Sequence, residues 1–273
     1  MHDSQLSVEP SSLQGRDNSG PNEAPGNVSM AMQSVAIQSM AMKSVAKQSV
    51  EVQRMFGSIA ARYDLANTVL SFGTHYLWRK VLRRAWAQVP RDATVLDLCT
   101  GTGDVYLDLL KDFKKVVGVD FCFPMLHEGA LQKGAFRSGL GALQGDALKL
   151  PFHDNAFDLT VVSFGVRNFE VLQTGLAEIF RVLAPGGRIC ILEFGQPMHG
   201  LREVYNLYSM YLMPWIGGVL TGNRDAYRYL PKTSRDFPCR EKFVSELEGA
   251  GFTSIQWKSL TGGIAYLYTG QKE

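Results

Sequence analysis

Ten residues, Val95 to Asp104 (V-L-D-L-C-T-G-T-G-D), limit what this chain can fold into more than any other stretch. Val95 to Leu98 reads as a buried strand, and the small residues Cys99 to Gly103 read as a tight turn. Asp104 then opens a helix whose apolar members are Val105, Leu107, Leu109 and Leu110. Gly101 and Gly103 carry no Cβ, so the backbone there can approach a ligand closely. A buried strand that feeds a glycine turn and a helix N-terminus is a nucleotide-binding element of an α/β sheet.

The flanking residues narrow the ligand. A dinucleotide loop wants G-x-G-x-x-G, but Tyr106 stands where the third glycine belongs, and G-K-[ST] of a Walker loop is missing. Asp97 and Asp104 bracket the turn; carboxylates there repel a pyrophosphate and suit the ammonium and sulfonium of S-adenosylmethionine. Lys115 to Val119 is a second buried strand ending on Asp120, 23 residues after Asp97, where an acid accepts from ribose hydroxyls. Asp146, in Gln144-Gly145-Asp146-Ala147, is placed to meet the exocyclic amine of an adenine; the alternative for the three acids is capping of turns. Asp97, Gly101, Thr102, Gly103, Asp120, Asp146, Ala147 and Ser163 are therefore the expected cofactor-binding residues, with no metal.

Further segments carry a resemblance. They are M-F-G-S-I-A-A-R-Y-D (Met55 to Asp64), L-S-F-G-T-H-Y-L-W (Leu70 to Trp78), T-G-T-G-D, S-F-G-V-R-N (Ser163 to Asn168), L-A-P-G-G-R (Leu183 to Arg188), L-E-F (Leu192 to Phe194) and Y-R-Y-L (Tyr227 to Leu230). The chain resembles the class I S-adenosylmethionine-dependent methyltransferases from about Val52 to Lys272. More narrowly it resembles the quinone-biosynthesis C-methyltransferases that act on demethylmenaquinol and on 2-polyprenyl-6-methoxybenzoquinol. The glycine loop and the L-x-P-G-G turn are widespread among methyltransferases; S-F-G-x-R-N and Y-R-Y-L are much narrower. The family usually has Gly or Ala at the positions of Cys99 and Thr100, and both residues are small enough for the turn.

The resemblance implies a Rossmann-like α/β fold, a seven-stranded, mostly parallel sheet with an antiparallel last strand and helices on both faces. It implies methyl transfer to a ring carbon of a polyprenylated quinol, with demethylmenaquinol expected first and the benzoquinol also open. Another small lipid or phenol, or a non-catalytic cofactor-binding protein, are the alternatives. Such chemistry needs proximity, a dry pocket and a means of making or holding a phenolate. Arg167 and Asn168 follow the strand Thr160 to Phe164; Arg167 can hold a phenolate or polarise a water, unless an ion pair to Glu170 or Glu193 claims it. Tyr63, Asp64 and Tyr227 are further catalytic candidates.

The rest of the chain sets the surroundings. Helix signals cover Pro124 to Lys133, Val171 to Leu183 (closed by Pro185-Gly186-Gly187) and Glu241 to Ala250; Arg188 to Phe194 is a strand, and Ile255 to Ser259 with Ile264 to Thr269 form a terminal hairpin. A helix from Glu51 to Tyr63-Asp64 is expected to lie over the cofactor as part of a lid spanning 51–90. Trp78, Val81, Leu82 and Ala85 share one helix face, opposite Arg79, Lys80, Arg83 and Arg84, so 77–87 can pack on the domain or lie on an anionic membrane. Within 199–232, Tyr205, Tyr208, Met210, Tyr211, Met213 and Trp215 suit an apolar wall for ring and tail. The apolar run Leu207 to Leu220, interrupted by Pro214, Gly217 and Gly218, is too short to span a bilayer, which makes 201–220 a second candidate membrane contact.

Residues 1–50 stand apart. They read as a disordered tail, closing with a five-residue repeat (S-M-A-M-Q, S-V-A-I-Q, S-M-A-M-K, S-V-A-K-Q, S-V-E-V-Q) that matches neither helix nor strand period. No signal peptide is evident. A formal net charge of +2 without Lys/Arg blocks argues against a nucleic-acid partner, and four scattered cysteines argue against a zinc site or disulfide framework. The expectation is a cytoplasmic protein, at the inner face of the membrane where its substrate lies, with a homodimer left open. His75, His127, His153 and His199 read as isolated packing or surface residues.

Overall fold

The computed structural model describes residues 50–198 and 200–273; residues 1–49, with the first four repeats and Ser49 of the fifth, lie outside them, as does His199. The chain opens with helix α1 (50–59), then a 3₁₀ turn Ala60–Arg62, α2 (Tyr63–Leu70) and α3 (Thr74–Ala85). Strands and helices then alternate: β1 (Thr94–Leu98), α4 (Asp104–Leu109), β2 (Lys115–Asp120), α5 (Phe123–Lys133), β3 (Ala142–Gln144), β4 (Phe157–Ser163), α6 (Leu172–Val182) and β5 (Leu183–Phe194). After β5 come α7 (Arg202–Leu207), α8 (Met213–Thr221), α9 (Ala226–Asp236) and α10 (Glu241–Gly249), then β6 (Thr253–Leu260) and β7 (Ala265–Gln271).

The seven strands form one sheet in the order β3-β2-β1-β4-β5-β7-β6. β1 to β5 pair in parallel, and β7 runs antiparallel to both β5 and β6. Successive side chains of a strand point to opposite faces, and β1 uses both. Leu96 and Leu98 enter a core with Leu176 and Ile179 of α6 and Phe243 and Leu247 of α10. Val95 enters the opposite core with Trp78 and Leu82 of α3 and Val105 and Leu109 of α4. Burial on both faces is why β1, β2 and β4 read as nearly continuous apolar runs. From β1 the chain winds outward to β3 and then returns to β4 on β1's other side, so the sheet reverses order between them. A crevice opens at that switch point, outside the carboxyl ends of the strands.

One local expectation is corrected. The signal at Pro185-Gly186-Gly187 places the helix end at Leu183 and the next strand at Arg188, but β5 already begins at Leu183. Lys272 is the reason: its backbone pairs with Gly186 and Gly187, and its ammonium donates to the carbonyls of Phe180 and Leu183. The run Leu207 to Leu220 lies within continuous helix, Pro214 included. Helix continues from Arg202 to Thr221, widening to a π turn over Tyr208–Leu212, just where proline withholds its N–H. Among the described residues no helix is long and apolar enough to cross a membrane.

Candidate active site

The glycine loop is held in a conformation few side chains tolerate. Cys99 (φ 59°), Gly101 (57°) and Gly103 (81°) all lie in the left-handed region. A Cβ at Gly103 would stand 2.8 Å from Ala135 and 2.9 Å from Phe136, so α5 and the segment after it close on the loop only because that position is glycine. Gly165 matters in the same way: a Cβ there would strike Cys99, with Sγ at 2.5 Å. Gly165→Ala should therefore cost about 1–3 kcal/mol through overpacking. Cys99→Gly in the same chain should recover most of that, a coupling visible in a double-mutant cycle of urea midpoints.

Acids gather under the loop. The Asp120 carboxylate accepts from the backbone N–H of Gly101 and of Cys122, both at 2.8 Å, which ties β2 to the loop of β1. Asp97, 1% exposed, accepts from the Thr100 hydroxyl at 2.5 Å. Burial pushes the Asp97 carboxyl up to about 7 against the Thr100 hydrogen bond, and the Asp120 carboxyl up to about 6 against its two backbone donors. Asp146 is exposed; its Oδ1 accepts from the Leu148 N–H and so caps a turn.

Raised carboxyls have a definite sign. A folded-state pKa above the unfolded value favours the protonated form, so this contribution to stability is full below about 4 and is lost as pH rises through about 6 and 7. Asp97→Asn, which keeps an acceptor for Thr100, should gain thermal stability relative to the wild type as pH goes from 5 to 8. A parallel pH profile for the two proteins would contradict the assignment. Affinity for a cationic ligand should rise over the same window.

Two cavities meet at this loop. The first, lined by Gly101, Asp120, Asp146, Ala147, Ser163 and Asn168, is roofed by Val52, Gln53 and Phe56 of α1. No Lys, Arg or His is among its described lining residues, while Asp120, Asp146 and Glu170 are. This donor set fits an adenosine carrying a cationic chain and does not fit a phosphate. The second, about 370 Å³, is apolar over most of its wall: Phe72, Trp78 and Phe194 on one side, Val204, Tyr205 and Tyr208 of the insertion on the other. Tyr63, Cys99, Gly101, Ser163 and Phe164 border both cavities.

The expected catalytic residues separate here. Tyr63 stands at the junction, with burial raising its phenol. Asp64 does not face a substrate freely; it accepts from Thr102 Oγ1 at 2.8 Å and pairs with Lys133 at 2.7 Å, locking α2 to the glycine loop. Asn168 lines the first cavity and accepts from the Tyr229 hydroxyl at 3.1 Å, a support that sequence reading missed. Tyr227 is corrected: it is 1% exposed, borders neither cavity, and its ring fills the space that Gly217 leaves between α8 and α9. Arg167 borders the second cavity, but Nη1 donates to Glu193 at 2.5 Å and to the Phe164 carbonyl at 2.7 Å, and both charged side chains are buried. The pair to Glu193 that the sequence left open is therefore made.

Two of the four cations on the face of 77–87 are engaged within the domain, while Lys80 and Arg84 are exposed. Arg79 pairs with Asp104 and Asp108, and Arg83 with Asp112, so these cations clamp α3 onto α4 and the turn after it. Trp78 is buried and donates to Thr261 Oγ1 at 2.7 Å. Exposed apolar side chains include Leu65, Val69, Phe72 and Leu77 at the α2–α3 corner and Leu207, Tyr211 and Trp215 of the insertion. The rings of Phe72 and Tyr208 approach to 5.8 Å at the cavity mouth between them.

Comparison with known proteins agrees with this geometry. The sequence model of the ubiE/COQ5 methyltransferase family matches residues 42–272. A demethylmenaquinone methyltransferase of Thermus thermophilus is 42% identical over 223 residues, 80% of this chain and all of that one. A ubiquinone/menaquinone biosynthesis C-methyltransferase UbiE of Bdellovibrio bacteriovorus is 40% identical over 225 residues, 80% of this chain and 94% of its own length. Among solved structures, a possible histamine N-methyltransferase of Thermotoga maritima superposes with a TM-score of 0.59 at 19% identity, covering 81% of this chain and 99% of that one. A phosphoethanolamine N-methyltransferase of Haemonchus contortus, solved with S-adenosyl-L-methionine, gives 0.58 at 14% identity, covering 76% and 56%. The structural likenesses speak for the shared fold.

Proposed function

The chain belongs to the ubiE/COQ5 methyltransferase family, and from that membership we propose that it transfers a methyl group from S-adenosylmethionine to a ring carbon of a polyprenylated quinol, with demethylmenaquinol as the first substrate to test. The observation that carries the reading is the meeting of an acid-lined cleft with a greasy cavity across one glycine loop. S-adenosylmethionine supplies the electrophilic methyl. Asp120 would hold the ribose, Asp97 would favour the positive charge through the loop, and Asp146 with Ala147 would border the adenine. Ser163 and Asn168 belong to the floor between donor and ring.

On the substrate side the insertion and Phe72 would wrap the ring and the first isoprene units, excluding water so that a phenolate formed there stays reactive. Arg167 would present positive potential to that oxygen, while Glu193 holds the guanidinium in place. The exposed apolar side chains around the mouth would rest on the bilayer that stores such substrates, so the tail can enter without crossing water. Leu207→Asp/Trp215→Asp should then shed the protein from phospholipid vesicles in a flotation assay; unchanged flotation removes this surface from the account.

The function itself is tested by incubating the full chain with methyl-labelled S-adenosylmethionine and reduced demethylmenaquinone, beside a reduced polyprenyl-methoxybenzoquinone. Label in a quinol supports the reading and ranks the two rings. Cofactor binding by calorimetry without label in either ring redirects the substrate to another lipid or phenol.

A further inference from the structure

The carbon-methylating step needs a proton acceptor, and the side chains around the second cavity differ sharply in their freedom to be one. Arg167 is a cation paired with Glu193, and a guanidinium does not surrender its proton at ordinary pH. Asp64 is taken by Thr102 and Lys133, and Asp104 by Arg79 and Lys133. Asp97 is closed beneath the loop by the Thr100 hydroxyl. Tyr63, Tyr205 and Tyr208 all have phenols pushed upward by burial, so they keep their protons.

His75 differs from all of these. It sits in the first turn of α3 and lines the same cavity as Cys99, Gly101 and Ser163, the residues that border the donor cleft. Its Nδ1 is 2.7 Å from the hydroxyl of Ser71, four residues earlier and on the far side of the turn made by Gly73 (φ +72°). The hydroxyl can partner either tautomer and holds the ring in place; in the tautomer whose Nδ1–H donates to it, Nε2 carries the lone pair.

Resting on the quinol reading above, we propose that His75 is the general base of this enzyme, taking the proton from the quinol hydroxyl adjacent to the methylated carbon. The O–H bond breaks and its proton passes to Nε2. The oxygen's electron pair pushes through the ring, the ortho carbon bonds to the methyl, and the methyl–sulfur bond breaks with its pair left on sulfur as S-adenosylhomocysteine. The C–H bond at the methylated carbon then breaks, its proton leaving to water and its pair restoring the aromatic ring and the charge on oxygen, which takes back the proton held on Nε2 to give the methylated quinol.

The charges facing His75 come from four helices. Arg79 of α3 and Lys133 of α5 oppose its protonation, whereas Asp64 of α2 and Asp104 of α4 favour it. Burial, the larger effect, joins the cations in holding the imidazole below its ordinary value. It is thus neutral and able to accept at neutral pH.

The test uses the full chain, reduced demethylmenaquinone and His75→Asn, whose amide can still partner Ser71. Single-turnover rates across pH 5 to 10 and the S-adenosylmethionine Kd by calorimetry are read together. The proposal expects a rate loss of about 10²–10⁴ and a Kd within about threefold of wild type. The acidic limb of the wild-type profile should vanish, with partial recovery at high pH where the quinol ionises unaided. Ser71→Ala keeps the imidazole and should shift that limb without deleting it. Retention of the limb in His75→Asn, or cofactor affinity lost along with the rate, overturns the assignment of the base. Absence of label with the wild-type protein overturns the quinol reading, and the base with it.

Discussion

Arg167→Met should cost about 3–5 kcal/mol of stability, because it strands the Glu193 carboxylate in the interior without a counter-charge. Glu193 is fully buried, and it also accepts from the backbone N–H of Arg167 and of Phe194. Adding Glu193→Gln removes the orphaned charge while keeping an acceptor for those two donors, so the double variant should regain at least half of the loss. Activity should part from stability at this point. If the guanidinium faces the substrate oxygen, the double variant folds but methylates about a hundredfold more slowly, on the order of 3 kcal/mol in the barrier. A stable double variant with wild-type kcat would reduce Arg167 to a structural ion pair. Urea midpoints and label incorporation on the wild type, Arg167→Met and the double variant decide between the two.

Asp120→Ala should weaken S-adenosylmethionine binding by at least about a hundredfold. Hydrogen bonds to a charged acceptor contribute about 1.5–3 kcal/mol each, and the carboxylate is read as taking ribose hydroxyls. It also carries the Gly101 and Cys122 N–H groups, so its loss loosens the loop as well. Asp120→Asn separates the two effects. One amide oxygen can still accept from Gly101, so fold and loop should hold while affinity falls. Calorimetry showing near-native affinity in Asp120→Asn would move the ribose contact to another residue.

Much of this architecture is legible in the linear chain because its causes are local or periodic. The glycine turn depends on φ values that glycine reaches without strain, and Gly101 and Gly103 do reach them. The apolar runs of β1, β2 and β4 follow from burial on both sheet faces, and Asp120 stands at the end of β2 as the spacing requires. The narrow S-F-G-V-R-N segment pointed to the residues that border the two cavities.

What the chain did not disclose depends on contacts between distant segments. Glu193 was one of two acids that could pair with Arg167; only the registration of β5 beside β4 brings it to 2.5 Å. Tyr227 shares its motif with a second polar ring, yet helix packing sends it toward Gly217 while Tyr229, two residues on, reaches Asn168. The cations of α3 could serve a membrane or pack on the domain, and the fold engages two of them, Arg79 with Asp104 and Asp108 of α4 and Arg83 with Asp112 just past it. His75 looked solitary because no acid or second histidine lies near it in sequence. Its neighbours Asp64, Asp104 and Lys133 arrive from three other helices, and the cavity it lines exists only once the insertion folds over the α2–α3 corner. Backbone conformation and burial are written residue by residue, so sequence determines them; which charge meets which is set by the packing of elements far apart in the chain, and only the tertiary structure decides it.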